Sequence, residues 1–351
     1  MPTVEEITAM IHALSAREKE RLFSSFTPDA TQKFTILEEA RFTSGLFCAY
    51  CGCSENITKY GRGRGDKQRY CCNNCKRYFT AATDTFLACT KKSISVWQQY
   101  IKCMTRGLSI RKSAARCSIN TRTAFMWRHK ILDALARTSD KTERLELGGI
   151  VEADETFFAL SFKGNKNKSF QYPNGRNPRK RGGECSTRGL SREKVCVLCA
   201  IERDRKISIA RISGLGKISA NNISKVLGGR IKKQSVLCTD GEKSYVSFTQ
   251  KFTLNHIVLR EGKAKKGVYH IQHINSFHGR LKDFIKVFRG VSTKHLNNYL
   301  EWNSAMYENG AKNDTWTNNK VWRMGLKGQG KTLYKDVCSK SAIPIIHNFF
   351  E

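Results

Sequence analysis

Two pairs of closely spaced cysteines constrain the fold of this chain more than any other feature. Cys48 and Cys51 form one Cys-x-x-Cys pair, and Cys72 and Cys75 form a second pair after 20 intervening residues. Each such turn can direct two thiolates at one point, and a hairpin between the pairs would bring all four together around a tetrahedral zinc. The spacing predicts a zinc ribbon over residues 41–90, in which a metal with four protein ligands stabilises the fold and has no open position for catalysis.

The ligand set leaves room for alternatives, since Cys53 and Cys71 lie beside the two pairs. Free thiols without a metal are the other interpretation. The segment is also rich in basic and aromatic residues, which suits contact with a DNA backbone. These residues are Arg62, Arg64, Lys67, Arg69, Tyr70, Lys76, Arg77, Tyr78 and Phe79.

The charge of the chain favours a polyanionic partner. Its 351 residues include 62 Lys and Arg against 30 Asp and Glu, a formal net charge of +32 that is spread along nearly the whole length. This balance favours nucleic acid over a small neutral ligand, with ribosome association or a generally basic proteome as the alternatives. The length predicts two or three domains. With no run of ~18 apolar residues and no signal-peptide pattern after Met1, we expect a soluble intracellular protein.

Helical periodicity appears on both sides of the cysteine-rich segment. Residues 1–40 predict a short helical segment, and residues 91–140 predict three helices, over 93–107, 109–116 and 121–135. The short polar turn before the third helix resembles a helix-turn-helix, with that helix in the reading role. Thr121, Arg122 and Arg128 would then lead the DNA contacts, since recognition helices usually contact bases through their N-terminal turns. A plain helical linker is the alternative.

Residues 146–309 predict an α/β domain, and Gly148 and Gly149 mark the boundary into it. The order of elements is strand, strand, strand, helix, strand, strand, helix, which indicates a mixed sheet with helices on its faces. Inside it, a basic segment at 163–183 contains Arg179, Lys180 and Arg181. Such a run is a solvated loop by default, and phosphate contact is the alternative. Residues 310–351 form a polar tail to which the sequence assigns no role.

Three polar positions in this domain predict a divalent-metal site. Asp154 lies within a strand, where Asp is uncommon and a buried carboxylate needs a partner such as a cation. Asp240 follows another strand, although an ordinary turn Asp is the alternative there. Asn275 and Lys282 are seven residues apart, so on a helix they share one face. Two acids and an amide oxygen suit Mg²⁺-dependent phosphoryl transfer.

The order of these motifs resembles that of the ISXO-like transposases of bacterial insertion sequences, over roughly residues 45–303. The resemblance rests on the zinc ribbon and helix-turn-helix, on Asn275 and Lys282, and on a series of short motifs. These are Val151-Glu-Ala-Asp-Glu-Thr156, Pro178-Arg-Lys-Arg-Gly182, Arg188-Gly-Leu-Ser191, Cys238-Thr-Asp-Gly241, Val268-Tyr-His-Ile-Gln272 and Lys294-His-Leu-Asn-Asn-Tyr-Leu300.

The resemblance implies a DDE-type recombinase with an RNase H-like catalytic domain. Asp154 and Asp240 would be its first two acids, Asn275 would take the third position 35 residues after Asp240, and Lys282 would contact end DNA. The site would use Mg²⁺ or Mn²⁺. Asn275 departs from the general pattern, because a neutral amide oxygen is a weaker Mg²⁺ ligand than a carboxylate; the side chains that could assist are Glu242, His278 and Asp283.

The implied function is transposition in the bacterial cytoplasm, in association with the nucleoid. The protein would bind terminal inverted repeats, cleave a DNA strand and transfer the freed 3′-OH to target DNA. Because two element ends must be paired, we expect a homodimer or a larger assembly on DNA. Two alternatives from other classes are a DNA-binding regulator without catalysis and an RNase H-like nuclease without strand transfer.

Overall fold

The structure is a computed structural model. It describes residues 37–63, 67–141, 146–165, 191, 193–205, 207–259, 265–307, 314–327 and 330–341, with scattered residues between 3 and 18. Most of the predicted N-terminal helical segment and all three of Arg179, Lys180 and Arg181 lie outside the described residues. The chain divides into two compact units, Met1–Trp97 and Gln98–Glu351. The predicted domain boundaries at residues 91, 146 and 310 remain predictions.

Within its described residues, the first unit contains a three-stranded antiparallel sheet. Its strands are β1 (Ile57–Gly63), β2 (Lys67–Cys72) and β3 (Arg77–Phe79), in that spatial order. Tyr70 and Phe79 stack at 5.4 Å on the buried face, and Phe42 packs edge-on against Tyr70 at 5.9 Å. This core is small, and domains of this kind usually need a metal or disulfides for stability.

The second unit begins with the three predicted helices. They are α1 (Ile94–Thr105), part of which belongs to the first unit, α2 (Ile110–Arg116) and α3 (Thr121–Lys141). Gly107, at φ +69°, ends the first helix in a conformation that only glycine adopts readily. The Ser109 hydroxyl accepts a hydrogen bond from the Lys112 backbone N–H and caps α2. The third helix is six residues longer than predicted.

A mixed sheet forms the centre of the second unit. Its strands among the described residues are β4 (Ile150–Ala159), β5 (Lys194–Glu202), β6 (Ser208–Leu215), β7 (Val236–Thr239) and β8 (Asn255–Val258), in the order β6-β5-β4-β7-β8. The β4–β5 and β5–β6 pairs are antiparallel, and the β4–β7 and β7–β8 pairs are parallel. The predicted α/β class with a mixed sheet is confirmed, and it is consistent with an RNase H-like transposase domain.

Helices cover both faces of this sheet. The helices α4 (Ala220–Leu227) and α5 (Lys243–Phe252) share a buried core with Val151, Ala153 and Leu198. A short hairpin of β9 (Lys265–Lys266) and β10 (Tyr269–His270) precedes α6 (Gln272–Val287), and α6 and α7 (Thr293–Tyr307) pack against β4, β5 and β6. Sequence reading missed α5, because its Val, Thr and aromatic residues have low helix propensity. It also extended α6 into the hairpin.

The C-terminal segment is more structured than predicted. Its described residues form α8 (Asp314–Lys327) and α9 (Tyr334–Ser339), and both helices pack against α3. The Thr138 hydroxyl donates to the Met324 carbonyl at 2.7 Å, and the Lys340 ammonium pairs with Asp133. The polar, glycine-containing composition gave no sign of these contacts. The segment is part of the helical core around α3.

No helix among the described residues combines the length and the apolar character needed to cross a membrane.

Candidate active site

Side-chain alternation along β4 sends two neighbouring acids to opposite faces of the sheet. Asp154 faces α6, where its Oδ2 lies 3.8 Å from His278 Nδ1. Glu155 faces α5, and its carboxylate accepts a 2.9 Å hydrogen bond from the Tyr245 hydroxyl. Val151 and Ala153 lie in the apolar core on the Glu155 side. The strand thus directs Asp154 to the helix that carries Asn275 and directs Glu155 to the opposite face.

Asp240 is brought to Asp154 by the parallel pairing of β4 and β7. In this register Ile150 pairs with Val236 and Glu152 pairs with Cys238. Asp154 lies in the middle of β4 and Asp240 directly follows β7, and continuing the register by two residues places the two acids level with each other. The Asp240 side chain also accepts a 3.0 Å hydrogen bond from the Glu242 backbone N–H, which orients it at the start of the turn.

The two aspartates are coupled electrostatically. Burial first, and then the charges of Glu155 and Asp240, raise the pKa of Asp154 to about 7, while the Lys282 ammonium opposes the shift. Burial also raises the pKa of Glu155, against the hydrogen bond from Tyr245. A bound cation stabilises the charged form of buried carboxylates that otherwise repel one another. Hard oxygen donors are the ligands that Mg²⁺ and Mn²⁺ prefer, so the donor set fits such an ion.

Helix α6 presents Asn275, His278 and Lys282 along one stripe, as expected from their spacing. His278 is buried beside Asp154, and burial followed by the Lys282 charge lowers its pKa to about 4, so it is neutral at physiological pH. Asn275 lies one turn earlier and is exposed. Within the described part of the chain, no polar contact joins its amide to either aspartate. The structure thus brings Asp154, Asp240, His278 and Lys282 together and leaves Asn275 at their edge.

Sequence reading missed Glu152, which fixes the start of α6. Its carboxylate is fully buried and accepts hydrogen bonds from the backbone N–H groups of His273 and Ile274, each at 3.0 Å. His273 Nδ1 also lies 2.8 Å from Glu152 Oε1. The helix has no side-chain cap of its own at Ile271. A carboxylate on these orphan N–H groups satisfies them and complements the helix dipole, so Glu152 is a cap supplied by the sheet.

Arg203, in the turn after β5, binds both Glu152 and the segment that precedes α6. Its Nε donates to Glu152 at 2.7 Å, and its guanidinium also donates to the carbonyls of Val268 at 2.6 Å and His270 at 2.9 Å. Glu152, His270 and His273 lie close enough together to hold a cation. However, the Glu152 carboxylate already has four polar partners, so we assign it to positioning α6. The sequence feature that could have indicated this role is the presence of a glutamate within a strand.

Comparison with known families identifies the domain that contains this site. Residues 146–303 match the family described as the ISXO2-like transposase domain. Residues 146–303 are called the ISXO2-like domain below, after this match. The ISXO2-like domain runs from the residues before β4 into α7, so it contains Asp154, Asp240, Asn275 and Lys282 as well as Glu152.

Two solved structures of Mos1 transposase complexes also resemble the chain. One is a pre-cleavage transpososome and the other is a paired-end complex with the left transposon end. Each is 9% identical with a TM-score of 0.25; they cover 69% and 67% of this chain and 77% and 80% of their own chains. No curated protein sequence matches the chain.

The four predicted zinc ligands lie together outside the ISXO2-like domain. The sulfurs of Cys48, Cys51, Cys72 and Cys75 all lie within 4.8 Å of one another. Cys48–Cys75 and Cys51–Cys72 are each 3.6 Å apart. Zn–S bonds of about 2.3 Å in a tetrahedron would place sulfurs about 3.8 Å apart, so this cluster could hold zinc. The cysteine cluster supports the predicted zinc ribbon.

The neighbouring cysteines differ in their relation to this cluster. Cys53 Sγ lies 3.4 Å from Cys51 and 3.3 Å from Cys72, so it borders the site. Cys71 precedes Cys72 in β2, and consecutive strand residues point to opposite faces. Cys71 is therefore directed away from the cluster, whereas Cys53 is the one alternative ligand among these residues.

The prediction that Arg128 contacts DNA is corrected by its burial. Its side chain is 1% exposed, its Nη2 donates to the Leu108 carbonyl at 2.7 Å, and its guanidinium lies 5.4 Å from the Phe288 ring centroid. Most of α3 is enclosed by other helices, since Thr121 and Arg122 are its exposed residues up to Thr138. Arg122 lies over the Tyr334 ring at 4.7 Å.

Helix α2 presents a basic surface that sequence reading did not single out. Arg111, Lys112 and Arg116 are exposed, whereas Ser113 and Ala114 on the opposite side are buried. The helix is seven residues long, so these three side chains lie close to one another. This surface, rather than the body of α3, is the exposed cationic part of the predicted helix-turn-helix.

Proposed function

We propose that this protein is a DNA transposase that binds the terminal inverted repeats of an insertion sequence and catalyses divalent-metal-dependent strand cleavage and strand transfer. The observation that carries the proposal is the parallel pairing of β4 with β7, which brings Asp154 in β4 near Asp240, the residue after β7, within an ISXO2-like transposase domain. The raised pKa of Asp154 supports a cation at this position.

The residues of the site have distinct proposed roles. Asp154 and Asp240 hold Mg²⁺ or Mn²⁺, and Asn275 supplies an amide oxygen from α6. An ion held by these residues would supply neutralisation of the phosphate charge. Lys282, on the same stripe of α6, contacts the phosphate of end DNA. His278 is neutral and packs against Asp154, so we give it the role of orienting that carboxylate.

DNA contacts outside this site are proposed from exposed charge. Arg111, Lys112 and Arg116 on α2, with Arg122 at the start of α3, face solvent and suit duplex phosphates. Arg179, Lys180 and Arg181 are proposed on their sequence alone. Pairing of two element ends requires at least two copies of the site, so we propose a homodimer or a larger assembly on DNA.

The test is a joining assay with the purified full chain and DNA taken from the boundaries of the element. Wild-type protein is expected to cut at the ends and to join the freed 3′-OH to target DNA, only when Mg²⁺ or Mn²⁺ is present. Asp154→Asn and Asp240→Asn should reduce both products by at least ~100-fold, since each removes charge from the cation site. Asp204→Asn, an exposed aspartate of the same domain, is the matched control and should retain activity.

The other outcomes separate the alternative functions. Cutting without joining would indicate an RNase H-like nuclease. Specific binding without any metal-dependent cutting would indicate a regulator that uses the zinc ribbon and helix-turn-helix alone. Equal activity of wild type and Asp154→Asn would contradict the proposed site.

A further inference from the structure

The three-stranded sheet of the first unit has an exposed face with two tyrosines. Strand alternation divides its aromatic residues between two faces. Tyr70 and Phe79 are 5% and 2% exposed and form the core, whereas Tyr60 and Tyr78 are 51% and 46% exposed. Large aromatic side chains are seldom left half in water in pairs without a partner to bind. The exposed face is therefore a candidate interaction surface.

Tyr60, Arg69 and Tyr78 form one continuous patch on this face. The two ring centroids are 4.6 Å apart with a tilt of 50°, although the tyrosines belong to the two outer strands. Arg69, from the middle strand, lies 5.4 Å from one centroid and 5.5 Å from the other. The guanidinium fixes both rings through cation–π contacts, which pre-organises the patch for a flat ligand.

The charge of the segment that forms this sheet indicates a polyanionic partner. Residues 57–79 contain seven basic residues and one acidic residue, Asp66. The basic residues are Lys59, Arg62, Arg64, Lys67, Arg69, Lys76 and Arg77. Beside Tyr78 lies a cavity of about 330 Å³, whose lining includes Lys67, Thr80 and Thr83. Its volume falls within the ~300–1,000 Å³ range of small-ligand pockets, and its polar groups suit a phosphate or a base.

We propose that this face, the Tyr60–Arg69–Tyr78 patch, binds single-stranded DNA by stacking unpaired bases on its two tyrosine rings. A stacking contact needs the flat face of a base, which neighbouring base pairs cover in a duplex. Aromatic residues on a positively charged sheet are the arrangement by which folds bind single strands without sequence preference. Lys67, which lines the cavity beside Tyr78, then contacts a phosphate of the strand.

This inference extends the proposed function. Strand cleavage and transfer would generate unpaired nucleotides near the element ends, and that link rests on the proposed function. Binding by the patch does not require catalysis. It can therefore be measured in an Asp154→Asn background without added Mg²⁺ or Mn²⁺, so that failure of the catalytic proposal leaves the result intact.

The experiment measures fluorescence anisotropy of the full chain with a labelled oligothymidine of about 12 nucleotides and with a duplex of equal length, at ~150 mM salt. Tyr60→Ala/Tyr78→Ala should weaken single-strand binding at least ~tenfold and change duplex binding less than ~twofold. Tyr60→Phe/Tyr78→Phe should keep the single-strand affinity within ~twofold, because the rings remain. No chelator is added, so that the cysteine cluster keeps its metal.

Controls make each result decisive. Tyr50 is 49% exposed and contacts Arg77, but it lies on the Cys48–Cys51 turn, so Tyr50→Ala should leave single-strand binding unchanged. Zinc content and circular dichroism establish that each variant is folded. If the double alanine variant loses zinc, the single variants replace it and should each show part of the loss.

Four results would overturn the proposal. Unchanged single-strand binding by the alanine variants would exclude the patch, and equal loss of single-strand and duplex binding would indicate a general charge or folding effect. Loss of affinity in the phenylalanine variant would exclude stacking. An RNA of the same sequence that binds ~tenfold more tightly than the DNA would assign the patch to RNA instead.

Discussion

Asp154 is the residue on which the site depends most, and its protonation gives a prediction in the metal-free protein. Its pKa is raised from an ordinary 3.8 to about 7, so the folded state binds a proton more tightly than the unfolded state does. The charged carboxylate therefore lowers stability as pH rises from about 4 through 7, and the full penalty is present above pH 7. Asp154→Asn should stabilise the metal-free protein at pH 8 by roughly 1–3 kcal/mol.

This prediction is checked by thermal unfolding at pH 6 and pH 8. The stabilisation should be smaller at pH 6, and added Mg²⁺ should raise the Tm of wild type but not of the variant. A variant that is less stable than wild type at pH 8 would show that Asp154 has a favourable partner of its own in the absence of metal.

The cysteine cluster gives a second prediction at the residue scale. Cys48→Ser, Cys51→Ser, Cys72→Ser and Cys75→Ser should each lose bound zinc, because a structural site needs all four thiolates. Cys71→Ser should keep one zinc per chain, since Cys71 points to the other face of β2. Zinc content measured by mass spectrometry decides this. Cys53→Ser tests the alternative ligand. Loss of zinc in this variant would show that Cys53 takes the place of one of the four predicted ligands.

At the scale of elements, the start of α6 is held by the sheet rather than by its own sequence. Glu152→Gln should weaken the cap on His273 and Ile274, loosen the turn that carries Asn275 and slow strand cleavage at least ~tenfold. The matched control is Glu202→Gln. Glu202 is also buried and paired with an arginine, Arg205, but it accepts from Gly148 and has no contact with α6 among the described residues.

Hydrogen exchange of residues 272–276, measured beside the cleavage rate, separates positioning from general destabilisation. Glu152→Gln should raise exchange there and lower the rate, while Glu202→Gln should change neither. Equal effects of the two substitutions on cleavage would mean that Glu152 acts only through stability.

The basic surface of α2 predicts how DNA affinity depends on salt. Arg111→Gln/Lys112→Gln should weaken duplex binding and reduce the slope of log affinity against log salt by about 2, because each lost phosphate contact removes ~0.9. Lys232→Gln/Lys233→Gln removes two exposed charges before β7 and should leave the slope unchanged. Equal changes in both variants would show that binding follows net charge and not this surface.

The elements themselves were largely predictable, because they depend on local periodicity. The alternation around Asp154 and the helical spacing of Asn275 and Lys282 gave the strand, the helix and the shared face. The parallel register of β4 and β7, which brings Asp154 near Asp240, is a long-range property. The sequence therefore indicated it only through the resemblance to ISXO-like transposases. Two partners of α6, Glu152 and Arg203, are 51 residues apart and left no local pattern. The burial of Arg128 likewise depends on Leu108 and Phe288, far along the chain.

At the scale of the whole molecule, the helices around α3 belong to the same compact unit as the ISXO2-like domain. The C-terminal helices α8 and α9 pack on α3, and Arg137 donates to the carbonyl of Gly330. This packing explains why α3 has few exposed residues for DNA. The sequence could not show it, since the apolar faces of α3 are compatible with either a free helix-turn-helix or a packed core.

The central claim is that Asp154 directly holds the metal used for DNA strand cleavage. The most direct measurement is metal-specific rescue of Asp154→Cys, assayed for single-strand cleavage at element ends. A thiolate is a poor ligand for Mg²⁺ and a better one for Mn²⁺, so the variant should be inactive with Mg²⁺ and should recover at least ~tenfold with Mn²⁺. Activity with Mg²⁺ equal to that of wild type, or no recovery with Mn²⁺ while Asp204→Cys is fully active, would contradict the account.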